Sequence, residues 1–486
     1  MATRRPFAAL LVASGSFVVV LDTFAAAVAF PRIEEAFPDT PRTTLAWMSS
    51  GYSIALAALL LTAGKLGDRY GRRRVYMSGM AGFAVMAVLS ATALTPAWLI
   101  GARVLQGCAG AMMISTSVAL ALMEYPPQRR GLAMGWLGVM GSLASLAGPV
   151  LAGNIIDIGG SWRWVFLVSV PIAIAVLITA PRYLQEAKAE SEVGQPIDLL
   201  GVALGIGASG LLTLGVLQSG EWGLTDPRTL GIVVVALLLG ALFVWRCSTF
   251  RAPLLRLEIF RHRRFTIATV SQLGSQFSIF AFFFWMPLFL INVWGWSAAG
   301  VGWAVAIPLV VSMNSVPFGR FADRHGYRGV LVVGGFFGAG GLAWCYLVVG
   351  ETPSFWSQLF PALLLFGWGI GMVGITSASA ALAGLEAEEL AMANSMFQTT
   401  RRLVQTLGIA SVVAILGDRS ADSLELFQRV WLVSGAGFLV SSVLALWYPA
   451  TRLRATESRS RSTTLSPGKV PGTVTVSPPA AARPGS

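Results

Sequence analysis

Charge is scarce in this sequence. Asp, Glu, Lys and Arg make up 12% of its 486 residues, where a soluble domain of ordinary composition carries about one quarter. Histidine and cysteine are scarcer. His262 and His325 are the two histidines, and Cys108, Cys247 and Cys345 stand far apart with no CxxC pair. That pattern excludes a disulfide framework and the usual spacing of zinc ligands. No GxSxG, HExxH or P-loop pattern occurs, so the common signatures of hydrolases, metalloproteases and NTPases are missing. The stretch "GIGASG" at 205–210 fits GxGxxG. It follows no strand and lies in an apolar run, where small-residue helix packing explains it.

What is abundant is apolar length. Hydrophobic residues are 55% of the chain, and the mean hydropathy is +0.69. A membrane-spanning helix takes ~20 apolar residues. Fourteen such runs are legible, near 10–30, 44–64, 75–95, 98–122, 132–156, 164–181, 199–219, 229–245, 265–291, 298–317, 329–349, 355–383, 391–416 and 430–449. The opening "TRRPFAAL" resembles a twin-arginine export signal. The run behind it is too long for a signal core and contains an aspartate, so it reads as the first span. The last residues, "SRSRSTTLSPGKVPGTVTVSPPAAARPGS", are Ser/Pro/Thr-rich and read as a disordered tail.

The basic residues test this map. With the N-terminus inside, twenty-six of the 35 Lys and Arg fall in inside segments and six outside. Arg103, Arg401 and Arg402 fall within spans. That bias is the positive-inside rule, and a missed span would destroy it. Both termini are therefore expected in the cytoplasm. The net charge of +12 reflects topology and gives no reason to expect nucleic acid.

A loop pattern repeats. "GKLGDRYGRRR" follows span 2 and "GRFADRHGYR" follows span 10. Both fit G-x-x-x-D-R-x-G, with Gly64, Asp68, Arg69 and Gly71 in one and Gly319, Asp323, Arg324 and Gly326 in the other. A repeat at corresponding places implies two related halves. The copies are eight spans apart, so spans 7 and 8 are extra if each half has six.

The first of these loops resembles the signature loop of the major facilitator superfamily. "RVLQGCAGA" in span 4, "ASLAGPVLAG" in span 5 and "SWRWVFLVSVP" opening span 6 add to the resemblance. With fourteen spans, the chain looks like the drug:proton antiporter family of 14-span exporters, over residues 1 to about 450. The resemblance implies an all-α polytopic membrane protein with the major facilitator fold. Residues 1–181 would form one six-helix half, 182–264 the two extra helices with their linkers, 265–450 the second half and 451–486 the cytoplasmic tail. It implies a conformational-switch loop of Gly64, Gly67, Asp68, Arg69, Gly71, Arg72 and Arg73, with the second copy, in which the glycines permit tight turning and Asp68 and Arg69 latch the halves in one state; a basic cluster that only enforces orientation is the other reading. It also makes Gly148, Pro149 and Gly153 of span 5 the antiporter motif, in which Ala144 and Ala152 stand where glycine is usual.

Asp22, in "FVVVLDTFAAAVAFP", is the one clear mid-span acid. A central carboxylate costs ~2.5–3.5 kcal/mol on insertion scales, so it needs a reason. It resembles the acid of the family's first-span motif. Phe24 and Ala27 depart from that motif, where threonine and asparagine are favoured. Asp22 is thus a candidate proton carrier, with Arg103 beside it if the two spans line one cavity. A structural Asp bonded to a serine or arginine is the other reading. Gln106 follows Arg103 by three residues. In span 13, Asn394, Gln398, Arg401 or Arg402, and Gln405 form one polar face by helical spacing. Span 9 offers Gln272 and Gln276 followed by Phe280 and Trp285, an amide-and-aromatic wall suited to flat lipophilic molecules.

The expected function is proton-driven export of small amphipathic compounds from a bacterial cytoplasmic membrane. No cofactor is expected, since the proton gradient supplies the energy. The partners expected are a small-molecule substrate, protons and the lipid bilayer, and a monomer is expected. Export of one endogenous metabolite, or lipid or siderophore movement, is the alternative. A membrane enzyme or sensor is more distant.

Overall fold

In hydrocarbon every backbone N–H and C=O must be satisfied within the chain, so long apolar runs become helices. The computed structural model describes residues 4–124, 130–186, 198–250, 257–314, 316–385, 387–417 and 423–449, and the expected tail at 451–486 lies outside them. Among the described residues the regular structure is helical throughout, without a strand. Among the described residues, thirteen segments are long and apolar enough to cross a membrane. The fourteenth expected span is α16 (Ala387–Leu416), 30 residues long and hence ~45 Å at 1.5 Å per residue. It has the length to span, but Arg401, Arg402 and the polar residues around them dilute its hydropathy.

The first six spans are α1 (Arg4–Ala36), α3 (Trp47–Tyr70, preceded by the short α2, Arg42–Leu45), α4 (Arg72–Ala91), α5 (Pro96–Glu124), α6 (Arg130–Gly159) and α7 with α8 (Arg163–Leu167, Ser169–Tyr183). The last six are α11 (Arg263–Asn292), α12 with α13 (Ala298–Met313, Val316–His325), α14 (Tyr327–Val348), α15 (Phe360–Leu382), α16 and α17 (Leu424–Ala445). The two sets pack by one plan. α1 lies on α6 as α11 lies on α16, α3 on α5 as α12 on α15, and α4 on α5 as α14 on α15. Between the sets, α6 meets α12 and α16 meets α3, the same pair of elements with the halves exchanged. The repeat read in two short loops therefore extends to the whole packing pattern.

The two extra helices are α9 (Leu199–Trp222) and α10 (Pro227–Thr249). α9 lies against α3 and α16 at once, covering the seam between halves on that side. α10 packs on α9 and is otherwise uncovered, with Leu230, Val234, Leu237 and Leu238 exposed. An exposed apolar stretch of this kind suits lipid.

The buried apolar residues fall into three clusters. One joins both halves: Ala25 to Ile33 of α1 and Ala152 and Ile156 of α6 pack with Ile279 to Leu290 of α11, Val301 and Val305 of α12 and Val412 to Leu416 of α16. The other two belong each to one half, one around Tyr76, Met80 and Met113, the other around Phe265, Tyr327 and Phe397. The halves are thus fused at the end away from the repeated loops, and among the described residues no buried apolar cluster joins them at the loop end.

Two boundaries correct the sequence reading. Gly64 and Gly67 lie inside α3, which runs on to Tyr70, so they do not make a turn. Span 10 likewise continues to His325. The polar ends of these spans stay helical, because helices do not stop where the apolar core stops. The turns fall on single glycines with positive φ, Gly71 at 110° and Gly326 at 101°, a backbone region that L residues disfavour.

Candidate functional site

Asp22 and Arg103 meet. The Arg103 guanidinium donates to the Asp22 carboxylate at 2.6 Å, with both side chains almost fully buried. Arg103 also donates to Gln106 Oε1 at 2.7 Å and to the Met48 carbonyl at 3.4 Å. Gln106 Nε2 completes the triangle by donating to the second Asp22 oxygen at 3.2 Å. The guanidinium lies 4.3 Å from the Tyr52 ring centroid and 5.3 Å from that of Phe166. A buried charge pair survives only when its remaining donors and acceptors are also satisfied, and this network from α1, α3, α5 and α7 satisfies them.

A second polar group lies across the interface. Arg401 Nε donates to Gln276 Oε1 at 2.7 Å, and Gln405 Nε2 donates to the same oxygen at 3.1 Å. Gln272, one turn from Gln276 on α11, is buried, and its Nε2 has no hydrogen-bond partner among the described residues. Arg402, Asn394 and Gln398 are half-buried on α16.

Beside the Asp22 network is a pocket lined from both halves. α1 lines it with Thr23, Phe24 and Ala27, α3 with Ser49, Tyr52 and Ser53, and α5 with Arg103; Phe280, Phe283, Phe284 and Ile409 face them from the second half. Phe24 meets Phe283 edge-on at 4.7 Å. Phe280 is where the sequence suggested. Trp285 is not: its side chain is fully buried among Phe282, Phe289 and Trp431, because within one aromatic run the helix turns only some rings toward the interface. Gln106, read as a cavity residue, is also fully buried, and belongs to the Asp22 network.

The span-5 residues make the seam at the fused end. A side chain at Gly148 would strike α1 at the Leu21 carbonyl and Phe24, one residue from Asp22. A side chain at Gly153 would overlap the Ala298 carbonyl, and one at Gly302 the Pro149 carbonyl. α6 and α12 therefore touch backbone to backbone. Asp157 continues the seam. Its carboxylate accepts the backbone N–H groups of Ala298 at 3.1 Å and Ala299 at 2.9 Å, capping the first turn of α12 from the other half.

At the loop end the two copies of the repeated motif behave alike. Asp68 pairs with Arg72 at 2.7 Å, and Asp323 accepts from the Tyr327 hydroxyl at 2.7 Å. Each is an i, i+4 contact across the positive-φ glycine. The Arg73 backbone N–H donates to Glu186 at 3.1 Å, and its guanidinium donates to the Leu184 carbonyl at 3.1 Å, tying the turn to the end of α8. Arg69 and Arg324 are exposed, and Gly319 is half-buried.

Tyr52, Phe166 and Glu186 are site residues the sequence did not single out, and Asp157 read there only as a borderline acid near a span end. The buried pair of Arg42 with Glu34 at 2.7 Å is another. Tyr52 sits in an ordinary apolar run, and the acids stand at span ends where charge is unremarkable. Only long-range geometry distinguishes them.

Comparison with known proteins agrees with this architecture. The Major Facilitator Superfamily matches residues 12–409 and 265–479. The tetracenomycin C resistance and export protein of Streptomyces glaucescens is 32% identical over 422 residues, 86% of this chain and 77% of that protein. The multidrug resistance protein Stp of Mycobacterium tuberculosis (strain CDC 1551 / Oshkosh) is 28% identical over 85% of this chain and 76% of its own. Among solved structures, a mutant of the nucleoside transporter NupG superposes with a TM-score of 0.63 at 12% identity, covering 91% of this chain and 98% of that one, a likeness of fold. With its paired six-helix sets, multiple membrane spans and matching family pattern, the chain belongs to the Major Facilitator Superfamily of transporters.

Proposed function

We propose that this transporter is a proton-coupled antiporter that exports small amphipathic compounds by alternating access. The observation that carries the reading is the Asp22–Arg103–Gln106 network beside the pocket between the halves. Asp22 is the one acid deep within the described spans, and it borders the space where the halves must part. Ionised, it holds Arg103 and Gln106 together and ties α1 to α5. Protonated, it loses the charge that pairs with Arg103, and the guanidinium keeps its bonds to Gln106 and Met48 and its place over Tyr52. A proton taken up at Asp22 from one side and released to the other would thus change the wall of the pocket in each state.

The clusters support the conformational half of the reading. With the repeated loops in the cytoplasm, as the arginine count favours, the fused end is the outer one and the structure represents a state closed to the outside. Opening outward would separate α6 from α12 at Gly153 and Gly302, while Asp68 and Asp323 would latch the loop ends. The names of the relatives support antibiotic-like substrates: one is named for a single compound, tetracenomycin C, and another for multidrug resistance. Export of a single metabolite remains the second reading, and a panel of compounds separates the two.

The test uses proteoliposomes holding the purified protein and a pH-sensitive dye. Substrate addition should release protons from the lumen in wild type and not in Asp22→Asn. Equal proton release in both would reject Asp22 as the carrier.

A further inference from the structure

Deep within the described spans, away from the helix ends, stand one carboxylate and three guanidiniums: Asp22, Arg103, Arg401 and Arg402. Asp22 is fully engaged by Arg103 and Gln106. Arg401 has an amide oxygen as its hydrogen-bond partner, and its chain neighbour Arg402 has a charge of the same sign. Arg402, half-buried beside it, forms no ion pair among the described residues. Counted together, these four groups carry a formal excess of two positive charges at membrane depth. Charges there are kept only when paired or hydrated. Gln276 spends its one carbonyl on two donors, and Gln272 Nε2 is a buried donor without an acceptor. This wall is rich in donors and short of acceptors, and Phe280, Phe283 and Phe284 follow Gln276 along the same helix, with Phe24 of α1 opposite them.

We infer that the substrate is an aromatic anion, whose carboxylate, sulfonate or phenolate oxygens take the free donors of Arg401 and Arg402 while its ring lies against the phenylalanines. The inference rests on the export reading above and narrows it, and it runs against the lipophilic cations for which an aromatic pocket would otherwise be chosen. Guanidinium forks match oxyanions with two parallel bonds. A cation in the same place would meet two like charges and no carboxylate that is not already paired.

Two xanthene dyes of similar shape and opposite charge provide the test: fluorescein, an anion at pH 7.5, and rhodamine 123, a cation. Binding to the purified full-length protein is read by fluorescence anisotropy. Fluorescein should bind at least about tenfold tighter than rhodamine 123, and Arg401→Gln or Arg402→Gln should each weaken it about tenfold, ~1.4 kcal/mol. Arg402→Lys, which keeps the charge, should retain most of the preference. Melting midpoints of the variants establish that each is folded. Rhodamine 123 bound as tightly as fluorescein, fluorescein binding untouched by both glutamine variants, or no binding of either dye would overturn the inference. Dye movement in proteoliposomes separates the two claims. Fluorescein bound at the arginines but never transported would leave the site standing and reject export, whereas transport of rhodamine 123 alone would leave export standing and reject the anion site.

Discussion

Asp22 and Arg103, 81 residues apart in sequence, form a buried ion pair at 2.6 Å, and Gln106 bonds to both partners. Removing one member leaves the other charge buried. Arg103→Ala should lower stability by about 3–5 kcal/mol, read as a large drop in the melting midpoint of the purified protein. Asp22→Asn combined with Arg103→Gln should recover most of that loss, since two amides can hydrogen-bond where two charges did. The double variant should still fail to couple protons. Restored coupling would make the pair structural.

The seam between α6 and α12 should be sensitive to a single methyl group. Gly153→Ala places a Cβ against the Ala298 carbonyl, and the helices must part. Ile156, buried near that seam, reports the change. With Ile156→Cys as a label site, an impermeant maleimide added outside should react severalfold faster in the Gly153→Ala background than with Gly153. No acceleration would show that the seam accommodates the methyl group in some other way.

Glycines of the repeated motif should differ although the pattern treats them alike. A side chain at Gly71 meets both a positive φ and the Glu186 carboxylate, while nothing lies within 4 Å of one at Gly64. Gly71→Ala should cost about 1–2 kcal/mol or more. Gly64→Ala, inside a helix, should be neutral or stabilise by about 0.5–1 kcal/mol. Melting midpoints of the two variants check the contrast.

Aromatic residues of α11 should separate into two classes. Phe283→Ala removes a wall of the pocket and should raise the KM of a transported compound with a smaller effect on stability. Trp285→Phe should leave KM unchanged and lower the melting midpoint, since that ring packs on Phe289 and Trp431. The reverse pattern would move the binding wall to the other face of α11.

Much of the architecture was legible before any coordinates. Apolar run length, the arginine distribution and the repeated G-x-x-x-D-R-x-G pattern are local signals, and each maps onto a physical requirement of a membrane. The cost of Asp22 and of Arg103 was equally visible, because a charge in hydrocarbon demands an explanation one residue at a time. Their direct contact was conditional in the sequence, since it depends on how α1 and α5 are rotated. The same rotation separates Phe280 from Trp285, which share one run. Asp157 was invisible as a cap because its partners are backbone N–H groups of a helix in the other half. The motif glycines misled in a different way. Their spacing suggested a loop, yet α3 continues through Gly64 and Gly67, and a single residue makes the turn.

The central claim is that proton movement passes through Asp22. Everted membrane vesicles energised with a proton gradient offer the most direct test, with candidate substrates of either charge added one at a time to wild type and Asp22→Asn. The account predicts that a substrate collapses the gradient in wild-type vesicles and leaves it intact in the variant at equal protein level. A collapse of equal size in both would contradict it and place the proton path elsewhere in the molecule.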